Sequence, residues 1–208
     1  MRKPIEYGAI IDNRAQALNV IGDYYEDLAA CLFGGKVNDN RCDLIGDVLH
    51  DAEDVAIEVK GSSDTHSFRI FIDQLNRHVG QTGFPYARCW YALFRYHSPD
   101  GNSALANGKS VGDLRAYLGA HTAKAWLLDA GLVQELASRQ ENGNSLRRGE
   151  KIPTFRLGYR TLWRLGYKPC TTFVDLGLNQ TRWRFSRGRV YGREFEGVRL
   201  DLEVFSFV

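Results

Sequence analysis

A chain of 208 residues with 44% hydrophobic and 25% charged residues can bury a sizeable core, and ten Tyr, eleven Phe and four Trp exclude a disordered composition. No apolar run approaches the roughly 18 residues of a membrane span, and Met1-Arg2-Lys3-Pro4-Ile5-Glu6 lacks the apolar stretch of a secretory leader. Cys31, Cys42, Cys89 and Cys170 form no Cys-x-x-Cys pair, which excludes a disulfide framework or zinc ribbon and makes a reducing, cytoplasmic address the expectation. The net charge of +2 is unevenly spread: residues 1–138 carry 13 basic and 18 acidic side chains, residues 139–208 carry 14 and 7. That asymmetry fits a metal-using part joined to an anion-holding part, although two oppositely charged solvated faces would give the same counts.

Pro4 and mixed polarity suggest an irregular lead-in over residues 1–18. From Asn19, apolar residues recur at helical spacing (Val20, Ile21, Tyr24, Tyr25, Leu28, Leu32, Phe33), and Gly34-Gly35 supplies a stop. Glu26 lies beside that stripe, one turn from the small residues Gly22 and Ala30. Lys36 to Arg41 reads as a polar connection or short edge strand. Asp43 to Gly61 then reads as a β-hairpin turning at Asp51-Ala52-Glu53-Asp54. In its second strand Val55, Ile57 and Val59 share one face, and Ala56, Glu58 and Lys60 the other.

Phe68 to Ile72 suits a short strand or a helix start, and Asp73 to His78 a helix closing near Gly80. After a turn at Gly83-Phe84-Pro85, the long aromatic run Tyr86 to Tyr96 predicts a strand covered on both faces. Ser98-Pro99-Asp100-Gly101-Asn102 is the clearest break, and the reading divides the chain into a core, residues 1–104, and a basic, aromatic-rich α+β accessory region, residues 105–208. Ser110-Val111-Gly112-Asp113 resembles a capping box opening a helix through Leu118. A second helix is expected over Thr122 to Leu128 or beyond, with Gly131 as an interruption, and the pair invites a helix-turn-helix reading. Gln140 to Lys151, with Arg147 and Arg148, reads as a surface loop. Beyond Pro153 basic and aromatic residues interleave, and short strands are expected at 171–176, 181–185, 189–191 and 198–207, with Arg182, Arg184 and Arg187 among them as candidate DNA contacts.

The sheet reading gathers Glu26, Asp43, Glu58 and Lys60. Grouped carboxylates without histidine or thiolate are hard oxygen ligands that suit Mg²⁺ or Mn²⁺. A lysine beside such an ion can orient attacking water and stabilise phosphoryl charge. Asp23 and Asp27 compete with Glu26 for the helical position, and Asp47 and Asp54 read as turn or surface residues. The five histidines show no metal-ligand spacing. Ser62 and Ser63 lack an accompanying base, and no Gly-rich loop ends in Gly-Lys-Ser/Thr, which disfavours serine nucleophiles and nucleotide hydrolysis.

Asp43, then Glu58-Val59-Lys60 at a strand end, preceded by the helical Gly22 and Glu26, resembles the PD-(D/E)XK nuclease superfamily. Within it the likeness is to archaeal-type Holliday junction resolvases and restriction-endonuclease-like proteins, over about residues 20–97. It takes in Phe71 to Gln74 and the aromatic strand ending at Tyr96. The resemblance implies an α/β fold with an αβββαβ core, a mixed central sheet flanked by helices, and Mg²⁺-dependent DNA hydrolysis leaving 5′-phosphate and 3′-hydroxyl ends. It implies metal binding by Asp43, Glu58 and the Val59 carbonyl, with Glu26 as a candidate outer-shell residue. Lys60 would be the catalytic lysine and Gln74 an accessory polar residue. The implied partner is duplex or branched DNA, the implied assembly a homodimer. Two departures stand out: Cys42 occupies the proline position of the motif name, and residues 105–208 match no resolvase extension. The alternatives are a non-catalytic nucleic-acid-binding module of the same fold, or an enzyme of that fold acting on RNA or a transposon end.

Overall fold

In the computed structural model, residues 6–33, 35–40, 45–63, 67–80, 84–98, 108–121, 123–139, 153–166, 170–175 and 180–184 are described. In chain order the elements are α1 (Arg14–Phe33), β1 (Lys36–Val37), β2 (Val48–His50), a 3₁₀ turn (Asp51–Glu53), β3 (Val55–Ser63), β4 (Phe68–Phe71) and α2 (Ile72–His78). Then follow β5 (Arg88–Tyr96), α3 (Val111–Ala120), β6 (Lys124–Asp129), α4 (Ala130–Ser138), β7 (Thr154–Leu157), α5 (Tyr159–Arg164), β8 (Cys170–Asp175) and β9 (Gln180–Arg184). Seven strands form a central sheet in the order β1-β2-β3-β5-β6-β8-β9, and β4 and β7 form a separate antiparallel ribbon. β3 and β5 run parallel, and the other neighbours in the central sheet run antiparallel. The protein is therefore α/β, with a mixed central sheet flanked by helices.

Strict alternation along the strands gives each face of the sheet its own core. On one face Val55, Ile57, Val59, Trp90, Phe94, Ala125 and Leu127 pack against Ile21, Tyr25 and Leu28 of α1 and Leu114 and Leu118 of α3. On the other, Ala56, Cys89, Tyr91, Leu93, Trp126 and Leu128 pack against Leu75 of α2, Val133 and Leu136 of α4, the β4/β7 ribbon and Leu162 of α5. The sheet passes through the break at residues 98–110, because β6 hydrogen-bonds to β5 along six register pairs. Among the described residues no helix is long and apolar enough to cross a membrane.

Three expectations change. The first helix starts at Arg14 rather than Asn19, because the Asn13 side chain accepts from the Gln16 backbone N–H at 3.0 Å and so caps it. Lys124–Asp129 is a strand, not a helix: Trp126 and Leu128 enter one core while Ala125 and Leu127 enter the other. A short continuous apolar run carries no period that separates the two structures. The helix lies further on, at Ala130–Ser138, opened by Asp129, whose carboxylate accepts from the N–H groups of Gly131 and Leu132. With β6 between α3 and α4, the helix-turn-helix reading falls. The capping box at Ser110 forms as expected, with both reciprocal hydrogen bonds to Asp113. The expected loop over 140–151 and the strands at 189–191 and 198–207 lie outside the described residues.

Candidate active site

The hairpin of β2 and β3 builds the site. Its register pairs Val48 with Ile57, Leu49 with Ala56 and His50 with Val55, so the position before Val48 brings Asp47 beside Glu58. Backbone and side chain both fix Asp47. Its N–H donates to the Ile57 carbonyl at 2.9 Å, and its Oδ2 accepts from the Val59 N–H at 2.8 Å. Gly46 permits this approach: its φ is +156°, and a Cβ there would stand 3.2 Å from the Ile57 carbonyl oxygen.

Glu58 is 1% exposed, a carboxylate inside the sheet layer. Its Oε1 accepts a hydrogen bond from the Lys60 ammonium, whose side chain is 21% exposed. Its Oε2 is buried with no hydrogen-bond partner among the described residues. Such an oxygen is costly unless a cation or donor reaches it. Burial pulls the Lys60 ammonium toward deprotonation, but the charges of Glu58 and Asp47, the hydrogen bond to Glu58 and the charge of Glu26 more than offset it. The net effect raises its pKa above that of an ordinary lysine, and Lys60 is cationic at neutral pH.

Across the parallel pairing, Tyr91 of β5 lies next to Glu58. Burial and then the Glu58 charge push the Tyr91 hydroxyl well above the usual tyrosine range, so it stays protonated. It shares a 2.9 Å hydrogen bond with Nδ1 of His78 on α2. Gln74 stands one turn before His78 on that helix, and both are buried.

From the opposite layer α1 brings Glu26 to within electrostatic reach of Lys60. Gly61 allows the helix close: a Cβ there would meet the Tyr25 ring at 3.3 Å. Of the competing helical acids, Asp27 ion-pairs with Arg115 of α3 at 2.6 Å. The structure thus brings together Glu58, Lys60, Asp47 and, at longer range, Glu26, with Val59 in the same strand and Gln74 on the helix over that face. Asp43, Arg147, Arg148 and Arg187 lie outside the described residues. Arg182 and Arg184 lie on β9, the last strand of the sheet. Asp54 is an exposed turn residue with φ +53° whose carboxylate accepts from the Ala87 N–H. Asp47 is no such residue. Counting away from the four-residue turn Asp51–Asp54 would have found it, since the fourth residue before the turn faces the fourth after it.

Among the described residues no group of three or more His, Cys, Asp or Glu side chains is arranged to hold a metal ion. The oxygen donors of Asp47, Glu58 and the Val59 carbonyl are nonetheless of the class that Mg²⁺ takes, since that ion needs only one or two protein carboxylates and keeps several waters. The unpartnered Glu58 Oε2 is the atom such a cation would satisfy. Comparison with protein-family models, curated proteins and solved structures gives no match to this chain.

Proposed function

We propose that the chain is a metal-dependent endonuclease that hydrolyses DNA phosphodiester bonds at the site built on Glu58 and Lys60. One observation carries this reading: a fully buried carboxylate hydrogen-bonded through one oxygen to a lysine ammonium, with the other oxygen unpartnered among the described residues, and with a second carboxylate immediately before the facing strand. A purely structural ion pair would satisfy both oxygens, because an uncompensated buried carboxylate oxygen costs stability. Chain order supports it. A helix, three antiparallel strands, a helix and a strand parallel to the third follow the αβββαβ order of the PD-(D/E)XK resemblance, with β4 added before α2.

In this reading Glu58, Asp47 and the Val59 carbonyl hold Mg²⁺, with Mn²⁺ as a substitute. When bound, the ion supplies Lewis-acid polarisation of the phosphoryl group and an activated water. Asp47 takes the role that the resemblance gives to Asp43. Lys60, cationic at neutral pH, holds a positive charge where the phosphoryl oxygens gain negative charge. Tyr91, kept protonated and tied to His78, fixes the wall beside Glu58. Glu26 biases Lys60 toward its charged form.

The test uses supercoiled plasmid, linear duplex, single strand and four-way junction, each with Mg²⁺, Mn²⁺ or EDTA, for the full chain and for Lys60→Ala, Glu58→Gln and Asp47→Asn. Cleavage that needs the metal and is lost in Glu58→Gln and Lys60→Ala is the expected result. Wild-type cleavage rates in both variants would sink the site. A wild type that binds DNA in EDTA and cuts nothing with either metal would make the chain a non-catalytic binding module.

A further inference from the structure

On the same face of the sheet as Glu58 and Lys60, a cavity of about 300 Å³ opens between β6 and α5, lined by Lys124, Trp126, Tyr159, Arg160 and Trp163. Its aromatic and cationic groups are not distributed as a core would distribute them. Trp126 is 2% exposed and forms the floor, but Trp163 is 56% exposed and belongs to neither core. The Arg95 guanidinium lies 3.6 Å from the Tyr159 ring centre, a stacked geometry, and Arg160 Nε donates to the Tyr159 hydroxyl at 3.1 Å.

Arg95, held over the Tyr159 ring, and Lys124 are direct cross-strand partners, which sets two cations side by side. Among the described residues no carboxylate pairs with Lys124 or Arg160. The cavity therefore presents planar apolar surface together with the charges of Lys124 and Arg160, which no carboxylate among the described residues offsets. Its volume lies at the low end of the roughly 300–1,000 Å³ of small-molecule sites, room for one flat group rather than a duplex.

We infer that this cavity receives an unpaired nucleobase of single-stranded DNA, with Trp163 and Tyr159 as the stacking surface and Lys124 and Arg160 against the flanking phosphates. This rests on the nuclease reading in one respect, because it names the substrate class: DNA with an unpaired stretch beside the scissile phosphate. The register supports the link. Lys60, Leu93 and Trp126 form one row across β3, β5 and β6. Two strand spacings of roughly 4.8 Å set Trp126 about 10 Å from Lys60. With one phosphate per about 3.4 Å of stacked strand, that distance is about three nucleotides. A base seated in the cavity keeps its own strand within reach of the site.

The test is fluorescence anisotropy of a labelled oligothymidylate and of a duplex of equal length, titrated with the full chain in EDTA so that nothing is cut. Single strand should bind more tightly than duplex. Trp163→Ala should weaken single-strand binding about ten-fold and leave duplex binding unchanged, while Trp163→Phe should restore most of it. Equal single-strand affinity for Trp163→Ala and wild type would overturn the cavity assignment, as would competition by poly-glutamate as effective as by unlabelled oligonucleotide. The two readings fail separately. Loss of all metal-dependent cleavage with the Trp163 effect intact removes the nuclease and supports the cavity. Cleavage of duplex and single strand at equal rates, equally in Trp163→Ala, removes the cavity and supports the nuclease.

Discussion

Replacing Lys60 with methionine tests whether Glu58 is a buried charge that depends on a cation. The substitution keeps most of the side-chain volume and removes the ammonium that holds Glu58 Oε1. Removing one partner of a buried ion pair costs about 3–5 kcal/mol, and the 21% exposure of Lys60 points to the lower end, about 3 kcal/mol. A domain with roughly 5–15 kcal/mol of stability tolerates that loss and stays folded. Because the Lys60 pKa is raised by folding, the pair's contribution is fully present below the unfolded value of about 10.4 and fades as pH rises through the higher folded value. Urea unfolding followed by tryptophan fluorescence at pH 7 therefore sees all of it. Glu58→Gln combined with Lys60→Met removes both charges and should recover most of the loss. Mg²⁺ should also recover part: at ten times its Kd, binding to the folded state adds about 1.4 kcal/mol. If Lys60→Met unfolds at the wild-type urea concentration, or the double variant is as unstable as the single one, the argument from Glu58 fails.

Asp47→Asn keeps an acceptor for the Val59 N–H but removes the charge, so metal-dependent cleavage should fall at least about a hundred-fold while stability changes by less than about 1 kcal/mol, read from plasmid nicking and urea midpoints. Tyr24 is pushed up to about 12 by burial, against the lowering effect of Arg115; the unfolded chain releases this proton first, so stability should fall between about pH 10 and 12, by about 2–3 kcal/mol from this group. Urea midpoints that stay level across that window would contradict the burial of its hydroxyl. Ser110→Ala breaks the capping box of α3 and should cost about 1 kcal/mol in the same unfolding assay, with single-strand binding unchanged.

What the sequence discloses depends on how local each cause is. The β3 alternation, the two-sided β5 strand and the capping box at Ser110 are written within a few consecutive residues, and each appears where that spacing puts it. The start of α1 is also local, in Asn13 and Gln16, but lies outside the apolar stripe. β6 is different. Its run Ala123 to Leu128 has no period, and only the pairing to β5 and β8 makes it a strand. Asp47 was legible by register and hidden by type, since an aspartate four residues before a turn reads as polar surface until the facing residue is named. The cavity at Trp163 joins β6 to α5, segments about 30 residues apart in sequence, so no local pattern could have assembled it.

The place of the site follows from the single parallel pair among the described strands. β3 and β5 point their carboxyl ends the same way, and β2 and β6 on either side run against them, so the chain enters β2 and β6 at that same end. Asp47 immediately precedes β2, Lys60 lies in the second half of β3, Arg95 is near the end of β5 and Lys124 opens β6. Open α/β sheets bind ligands outside the carboxyl ends of parallel strands where the connection changes direction. Here that end collects one carboxylate and three cations from four separate segments, with Glu58 buried just beneath. Two features of this gathering cost stability: Arg95 and Lys124 stand side by side as like charges, and Glu58 keeps one oxygen unsatisfied among the described residues. Under the proposed function, one kind of partner would meet both features: a phosphate chain beside Lys124, with a metal ion at the Glu58 carboxylate.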